Sequence, residues 1–259
     1  MAEHHDPMTV FELDAVSKFY DGIPAVRPID LTIPAGITIV LIGPSGCGKS
    51  TLLRLMVGLV QPDSGEVRFE GTRITPHNIL HLRRKMGYVI QEGGLFPHLT
   101  GRENVALMAE HLRWKKERID ERIDELTQLT QFPTEGLHRY PVQLSGGQRQ
   151  RLSLMRALML DPDVLLMDEP LGSLDAMIRA NLQNELRDIF QKLSKTVVMV
   201  THDIGEAGFF GDLIVLLRDG AIVQQSSLHD LVHAAADPFV TQFINAQRLP
   251  FESLESVAK

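Results

Sequence analysis

Eight consecutive residues, Gly43-Pro44-Ser45-Gly46-Cys47-Gly48-Lys49-Ser50, constrain this chain more than any other stretch. They fit the pattern Gly-x-x-x-x-Gly-Lys-Ser/Thr without a mismatch. Their flanks fit too, since Ile37 to Ile42 reads as a buried strand and Thr51 to Leu59 as a helix. Strand, glycine-rich loop and helix in that order make a cradle for phosphate. Gly46 and Gly48 let the backbone turn so that successive N–H groups face one anion, and the helix start adds its partial positive charge. Lys49 then reaches the β- and γ-phosphates as a point charge, and the Ser50 hydroxyl can ligate Mg²⁺. Gly43, Pro44, Ser45, Cys47 and Thr51 complete the loop and the turn that follows it. Cys47 is the chain's single cysteine and has no disulfide partner, which fits a reducing cytoplasm and leaves it as a small loop residue.

The rest of the chain must build a sheet around that loop. Its 259 residues leave room for one large domain, or one with a substantial insertion. A hydrophobic content of 44% beside 23% charged residues excludes a disordered tail, and the longest apolar runs are strand-length, too short to span a membrane. Met1 to Asp6 carries no basic-then-apolar secretory pattern. A net charge of −7 argues against a dedicated nucleic-acid binder. Short β segments are expected at 9–13, 31–33 and 66–69. From about Thr100 to Leu160 the pattern is helical: Ile119, Ile123 and Leu126 share one face, while Glu117, Arg118, Asp120, Glu121 and Arg122 are solvated. The runs 164–167, 196–200 and 213–217 are continuously apolar, as in strands buried on both faces of a parallel sheet. Leu182, Leu186, Ile189, Phe190 and Leu193 mark a helix between the first two. Asp219-Gly220 signals a hairpin into Ala221 to Val223, and short helices around 228–233 and 239–244 precede a polar tail. Strands alternating with helices give an α/β core with right-handed crossovers, and the helical stretch reads as an insertion into it.

Val164-Leu165-Leu166-Met167-Asp168-Glu169 puts two acids at the end of a buried strand, where open α/β sheets bind their ligands. Two such acids before Pro170 could simply cap a loop. Beside a phosphate loop, Asp168 is suited to hold Mg²⁺ through water and Glu169 to take a proton from an attacking water. His202, in Thr201-His202-Asp203, follows a core strand and is placed to donate to a γ-phosphate oxygen; the other histidines are read as structural or surface residues. Leu144-Ser145-Gly146-Gly147-Gln148 opens a helix, with Ser145 as an N-cap residue and two glycines leaving amides open to an anion. One phosphate loop and a second anion-binding helix start need a common explanation.

GPSGCGKST, LSGGQ, VLLMDEP and VTHD, in this order, resemble the ATP-binding-cassette (ABC) ATPases, and the resemblance spans about Val10 to Ile244. It implies a P-loop NTPase (RecA-like) core, residues 8–95 and 160–225, with an N-terminal antiparallel β subdomain. It also implies an inserted α-helical subdomain, 96–159, that carries LSGGQ, and a short helical C-terminal extension and tail, 226–259. The ligands implied are ATP and Mg²⁺. Two cassettes, a second copy of the chain or a paralogue, would pair head-to-tail, so that Ser145, Gly147 and Gln148 of one contact the nucleotide held by the other. By the same resemblance Tyr20 stacks on adenine, although a partly buried strand-end tyrosine is its plainer reading. Gln91, in Tyr88-Val89-Ile90-Gln91, is similar to the glutamine that senses Mg²⁺ and the attacking water. Asp175, in Leu171-Gly172-Ser173-Leu174-Asp175, is similar to the aspartate of the segment that crosses the dimer interface. Lys49, Gln91, Glu169 and His202 are then the catalytic set, and Ser50, Gln91 and Asp168 the metal set.

The spacers point further. Gln91 to Thr100 is similar to bacterial importer ATPases. Trp114, Arg118, Ile119, Asp120, Arg122 and Ile123, with Arg139-Tyr140-Pro141, resemble the branch that takes up glycine betaine, choline and carnitine. The implied role is an ATP-hydrolysing subunit at the cytoplasmic face of the membrane, attached through separate permease subunits, served by a solute-binding protein, with no nucleic-acid partner. One alternative is the cassette of an importer for another small solute. Another is a soluble ABC ATPase of translation or DNA repair, which usually holds two cassettes or a long coiled-coil insertion. A kinase or GTPase-type switch would have no use for Leu144 to Gln148. The run Gly208-Phe209-Phe210-Gly211-Asp212-Leu213 departs from the Leu-Ala-Asp-Arg-like sequence usual after the histidine motif.

Overall fold

The computed structural model describes residues 9–247 except Glu92 and Ser173; Met1 to Asp6 and the end of the polar tail, which two expectations concern, lie outside the described residues. Strands β1 (Thr9–Tyr20) and β2 (Ile23–Pro34) form a long hairpin, followed by β3 (Thr38–Ile42) and helix α1 (Lys49–Met56). Next come β4 (Ser64–Phe69), β5 (Thr72–Arg73), the short α2 (Ile79–Leu82) and β6 (Met86–Val89). Three helices then interrupt the strands: α3 (Gly101–His111), α4 (Lys116–Leu129) and α5 (Gly146–Leu158). The alternation resumes with β7 (Val164–Asp168), α6 (Ala176–Leu193), β8 (Thr196–Val200), α7 (Ile204–Phe210) and β9 (Leu213–Arg218). Strand β10 (Ala221–Ser226), α8 (Leu228–His233) and α9 (Pro238–Gln247) complete the order.

The first two strands run well beyond the expected 9–13 and 31–33. Their turn is Asp21-Gly22, both in left-handed backbone (φ 50° and 79°), with Tyr20 paired to Ile23. This is the same two-residue signal as Asp219-Gly220 (φ 50° and 78°), which closes the β9–β10 hairpin. Register shifts between Leu13 and Lys18 break the in–out alternation, so the middle of β1 does not read as a strand.

Two sheets result. The smaller is antiparallel, in the order β2-β1-β4-β5; the larger has the order β10-β9-β3-β8-β7-β6, parallel except for the β9–β10 hairpin. In the larger sheet alternate residues feed two separate cores. Ile39, Leu41, Val164, Leu166, Val198 and Val200 pack with α1 and the small sheet. Val40, Ile42, Leu165, Met167, Val197 and Met199 pack with the helices of the opposite face. The phosphate loop therefore leaves the sheet between two cores that hold it from both sides.

The helical stretch between β6 and β7 is tied together by the residues that carried the subfamily resemblance. The Arg118 guanidinium lies 3.6 Å over the Trp114 ring, and Arg102 of α3 pairs with Asp120 of α4. Arg122 donates to the Leu158 carbonyl at the end of α5. These spacers are internal ties between helices.

Candidate nucleotide-binding and catalytic site

Strand β3 is buried along its whole length and leaves the sheet at Gly43. Two glycines of the loop are required by space as well as conformation. Gly43 has φ 146°, and a Cβ there would run into the Leu217 carbonyl of β9 and into Cys47 Sγ. Gly48, the N-cap of α1, has φ 104°, and its Cβ would strike the Ala25 carbonyl of β2. Pro44, Ser45 and Gly46 form the exposed rim. Cys47 is buried, and burial pushes its thiol up against the opposing pull of Lys49, whose Nζ lies 3.8 Å from Sγ. A buried, protonated thiol is a packing group, as expected.

Lys49 is only 5% exposed, and its Nζ donates to the carbonyls of Gly43 at 2.8 Å and Pro44 at 3.0 Å. The ammonium is thus folded back under the start of the loop. On the next strand but one, the alternation of β7 sends Val164 and Leu166 to the α1 side, and Asp168 follows them. There Ser50 Oγ donates to Asp168 Oδ1 at 2.7 Å. Asp168 is 2% exposed. Burial pushes its carboxyl above the usual range, with Glu169 adding to the push and the Ser50 hydrogen bond, Arg54 and Lys49 opposing it. A buried carboxylate meeting a hydroxyl oxygen is a pair of hard donors of the kind Mg²⁺ takes, so these residues fit that ion. Among the described residues, no cluster of three or more His, Cys, Asp or Glu offers another metal site.

Glu169 leaves the strand in left-handed backbone, φ 46°, while its N–H donates to the Val200 carbonyl at 3.0 Å. Such a conformation costs a non-glycine residue roughly 1–2 kcal/mol. It breaks the in–out order of β7 and brings Glu169 Oε2 to 3.6 Å from His202 Nδ1. His202 is exposed. It lines a cavity of about 440 Å³ together with Gly43, Pro44, Ser45, Asp203, Phe243 and Gln247. Phosphate loop, strand-end acids and histidine converge at the carboxyl ends of β3, β7 and β8.

The remaining residues are placed by other elements and line no part of this cavity. Tyr20 is half exposed at the end of β1, with Lys18 Nζ 5.7 Å from its ring; its hairpin stands on the same side of the loop as Ala25, which Gly48 touches. Gln91 is exposed just past β6, and the Val89–Met167 register carries it to the level of Glu169. Ser145 is the N-cap of α5, in a reciprocal capping box with Gln148. The Gln148 side chain is therefore engaged by the Ser145 amide, at 2.9 Å. The α5 start rests on the Asp175 segment: a Cβ on Gly147 would sit 3.1 Å from Ile178 Cγ2. Asp175 itself caps α6, accepting from the Met177 and Ile178 amides at 3.1 and 3.0 Å.

Sequence reasoning passed over two supports. Arg156 of α5 donates to the carbonyls of Gly94 and Gly93 at 2.8 and 2.9 Å, which clamps the segment after Gln91 to the helix that Ser145 opens. Glu206, 4% exposed on α7, accepts from the Thr201 hydroxyl at 2.6 Å directly behind His202. Burial pushes its carboxyl up, opposed by that hydrogen bond. An Arg on the Arg-rich α5 and the lone Glu of the short α7 look solvated in sequence; only packing reveals them.

A parallel sheet with this loop, these strand-end acids and this histidine defines a P-loop nucleotide-binding protein. The chain belongs to the ABC transporter ATP-binding family: that family's sequence model, described as ABC transporter, matches residues 26–172. The chain is 45% identical to the glycine betaine uptake system ATP-binding protein YehX of Escherichia coli, over 96% of this chain and 82% of that protein. It is 44% identical to the glycine betaine/carnitine/choline transport ATP-binding protein OpuCA of Bacillus subtilis over 93% of this chain, and spans 63% of that protein's length. The sulfate/thiosulfate import ATP-binding protein CysA of Synechococcus elongatus is also 44% identical, over 92% of this chain and 69% of that protein. Among solved structures, the dimeric post-hydrolysis state of the ATP-binding cassette MJ0796 bound to ADP and Pi matches with a TM-score of 0.76 at 33% identity, covering 84% of this chain and 98% of that one.

Proposed function

We propose that this chain is the ATP-hydrolysing subunit of an ABC importer, paired head-to-tail with a second copy or a paralogue. It works at the cytoplasmic face of the membrane on separate permease subunits, which take up quaternary-ammonium osmoprotectants delivered by a solute-binding protein. The hydrolytic part is carried by one observation, the Ser50–Asp168 hydrogen bond beside Lys49. The uptake part rests on the likeness to YehX and OpuCA.

The amides of residues 45–51 and Lys49 hold the β- and γ-phosphates, Lys49 exchanging the Gly43 and Pro44 carbonyls for phosphate oxygens. Ser50, Asp168 and Gln91 would hold Mg²⁺, which would supply positive charge to neutralise the phosphates. Glu169 accepts a proton from water as the water oxygen bonds to the γ-phosphorus and the bond to the β–γ bridging oxygen breaks, leaving ADP. His202 donates to a γ-phosphate oxygen, and Tyr20 covers the adenine. From the second copy, Ser145, Gly147 and Gln148 meet the γ-phosphate and Asp175 crosses the interface. Because the capping box uses the Gln148 backbone N–H and its side-chain Oε1, Gln148 contributes through its side-chain Nε2 donors.

The test is uptake of radiolabelled glycine betaine, choline, carnitine and sulfate in a strain lacking this chain. Loss of quaternary-ammonium uptake, restored by the wild-type chain and not by Glu169→Gln, is the expected result. Loss of sulfate uptake alone would move the chain to the solute class named for CysA.

A further inference from the structure

The turn that carries His202 is almost wholly self-made. Of the four amides from Asp203 to Glu206, three find acceptors inside the segment itself. The Asp203 N–H donates to Thr201 Oγ1 at 3.1 Å, and the Gly205 and Glu206 N–H groups donate to Asp203 Oδ1 at 2.7 and 3.0 Å. The fourth, the Ile204 N–H, donates to Gln247 Oε1 at 2.7 Å, 43 residues further along. A first-turn amide of a helix is ordinarily left to water or a cap. Here it is met by the last turn of α9.

That helix is firmly seated, since Val240, Phe243 and Ile244 are buried in the core of the larger sheet. Phe243 and Gln247, one turn apart on the same face, both line the cavity shared by Gly43 to Ser45 and His202. The His202 ring has little else to hold it. It is 57% exposed, and among the described residues its nearest ionic neighbour is Glu169 Oε2 at 3.6 Å. We propose that Gln247 is a positioning residue: through the Ile204 amide it fixes the His202 turn, so that the seat of the C-terminal helix sets the rate of hydrolysis. This rests on the ATPase reading above. The loop amides and Lys49 bind ATP without His202, so loss of the strut lowers kcat and spares KM.

The experiment compares Gln247→Met, which removes the acceptor at nearly constant volume, with Gln242→Met, the same chemical change at an exposed position of the same helix. Steady-state ATP hydrolysis is measured on the full chain, with amide hydrogen exchange across 203–206. In Gln247→Met, kcat is expected to fall about three- to tenfold, as for one lost hydrogen bond, at unchanged KM. The Ile204 amide exchanges faster in that variant, while Gln242→Met matches wild type in both respects. Wild-type kcat in Gln247→Met, a rise in KM alone, or an unprotected Ile204 amide in the wild-type chain would each overturn the strut. Absence of hydrolysis by the wild-type chain would instead overturn the ATPase reading, while the exchange measurement would still judge the contact.

Discussion

Glu169 and Asp168 are adjacent in the chain and end in opposite settings. Asp168 continues the strand alternation into the α1 side and is sealed against Ser50, whereas the left-handed backbone at Glu169 turns it toward His202. The break in the in–out order just past the end of β7 sets the two acids apart without any insertion, as the proposed metal-side and water-side roles require. The roles predict a clean split. Glu169→Gln should bind ATP as well as wild type, lose about 10²- to 10⁴-fold in turnover, and accumulate as an ATP-bound dimer. Nucleotide titration, phosphate release and gel filtration together check this; wild-type turnover would remove Glu169 from the role of base.

Helix starts are where element-level chemistry and function meet. Thr100 and Ser145 both open their helices with a full capping box, closed by Glu103 and Gln148. Replacing either with Ala should cost about 1 kcal/mol, read as equal shifts in a urea midpoint. Only Ser145→Ala should also slow hydrolysis, because only the α5 start is assigned to a neighbouring copy's phosphate. Equal turnover in both variants would leave the Ser145 box a purely structural cap. At this scale the sequence was legible wherever a local rule acts. The strands 164–168, 196–200 and 213–218 show as apolar runs because both faces are buried, and the phosphate loop shows because its glycines answer steric demands. What stayed hidden depends on distant partners. The bulged middle of β1 does not alternate, the short strand β6 resembles any apolar run, and Arg156 and Gln247 gain their roles from residues roughly 40 to 60 positions away.

At the scale of the whole molecule, net charge explains little and buried charge explains more. The surplus of acid, −7 overall, lies largely at the surface, where water and salt screen it. Among the described residues two carboxyls are exceptions: Asp168, beside the phosphate loop, and Glu206, behind the His202 turn, each pushed up mainly by burial. Glu206 faces Thr201, whose hydroxyl opposes the push, Asp203, which adds to it, and Arg179 and His202, which oppose it. A carboxyl whose folded pKa lies above its unfolded value binds more protons in the folded state. Its stabilising contribution is therefore complete below the ordinary value of 4.5 and is lost as pH rises through the folded pKa. Glu206→Gln cannot lose a proton, and its amide oxygen can still accept from Thr201. The thermal midpoint of Glu206→Gln should therefore rise relative to wild type as pH increases from 4.5, then level off once the wild-type carboxyl is fully ionised. Parallel midpoint-versus-pH curves for the two chains would show that Glu206 titrates as it does in the unfolded chain, and that burial behind the His202 turn carries no electrostatic cost.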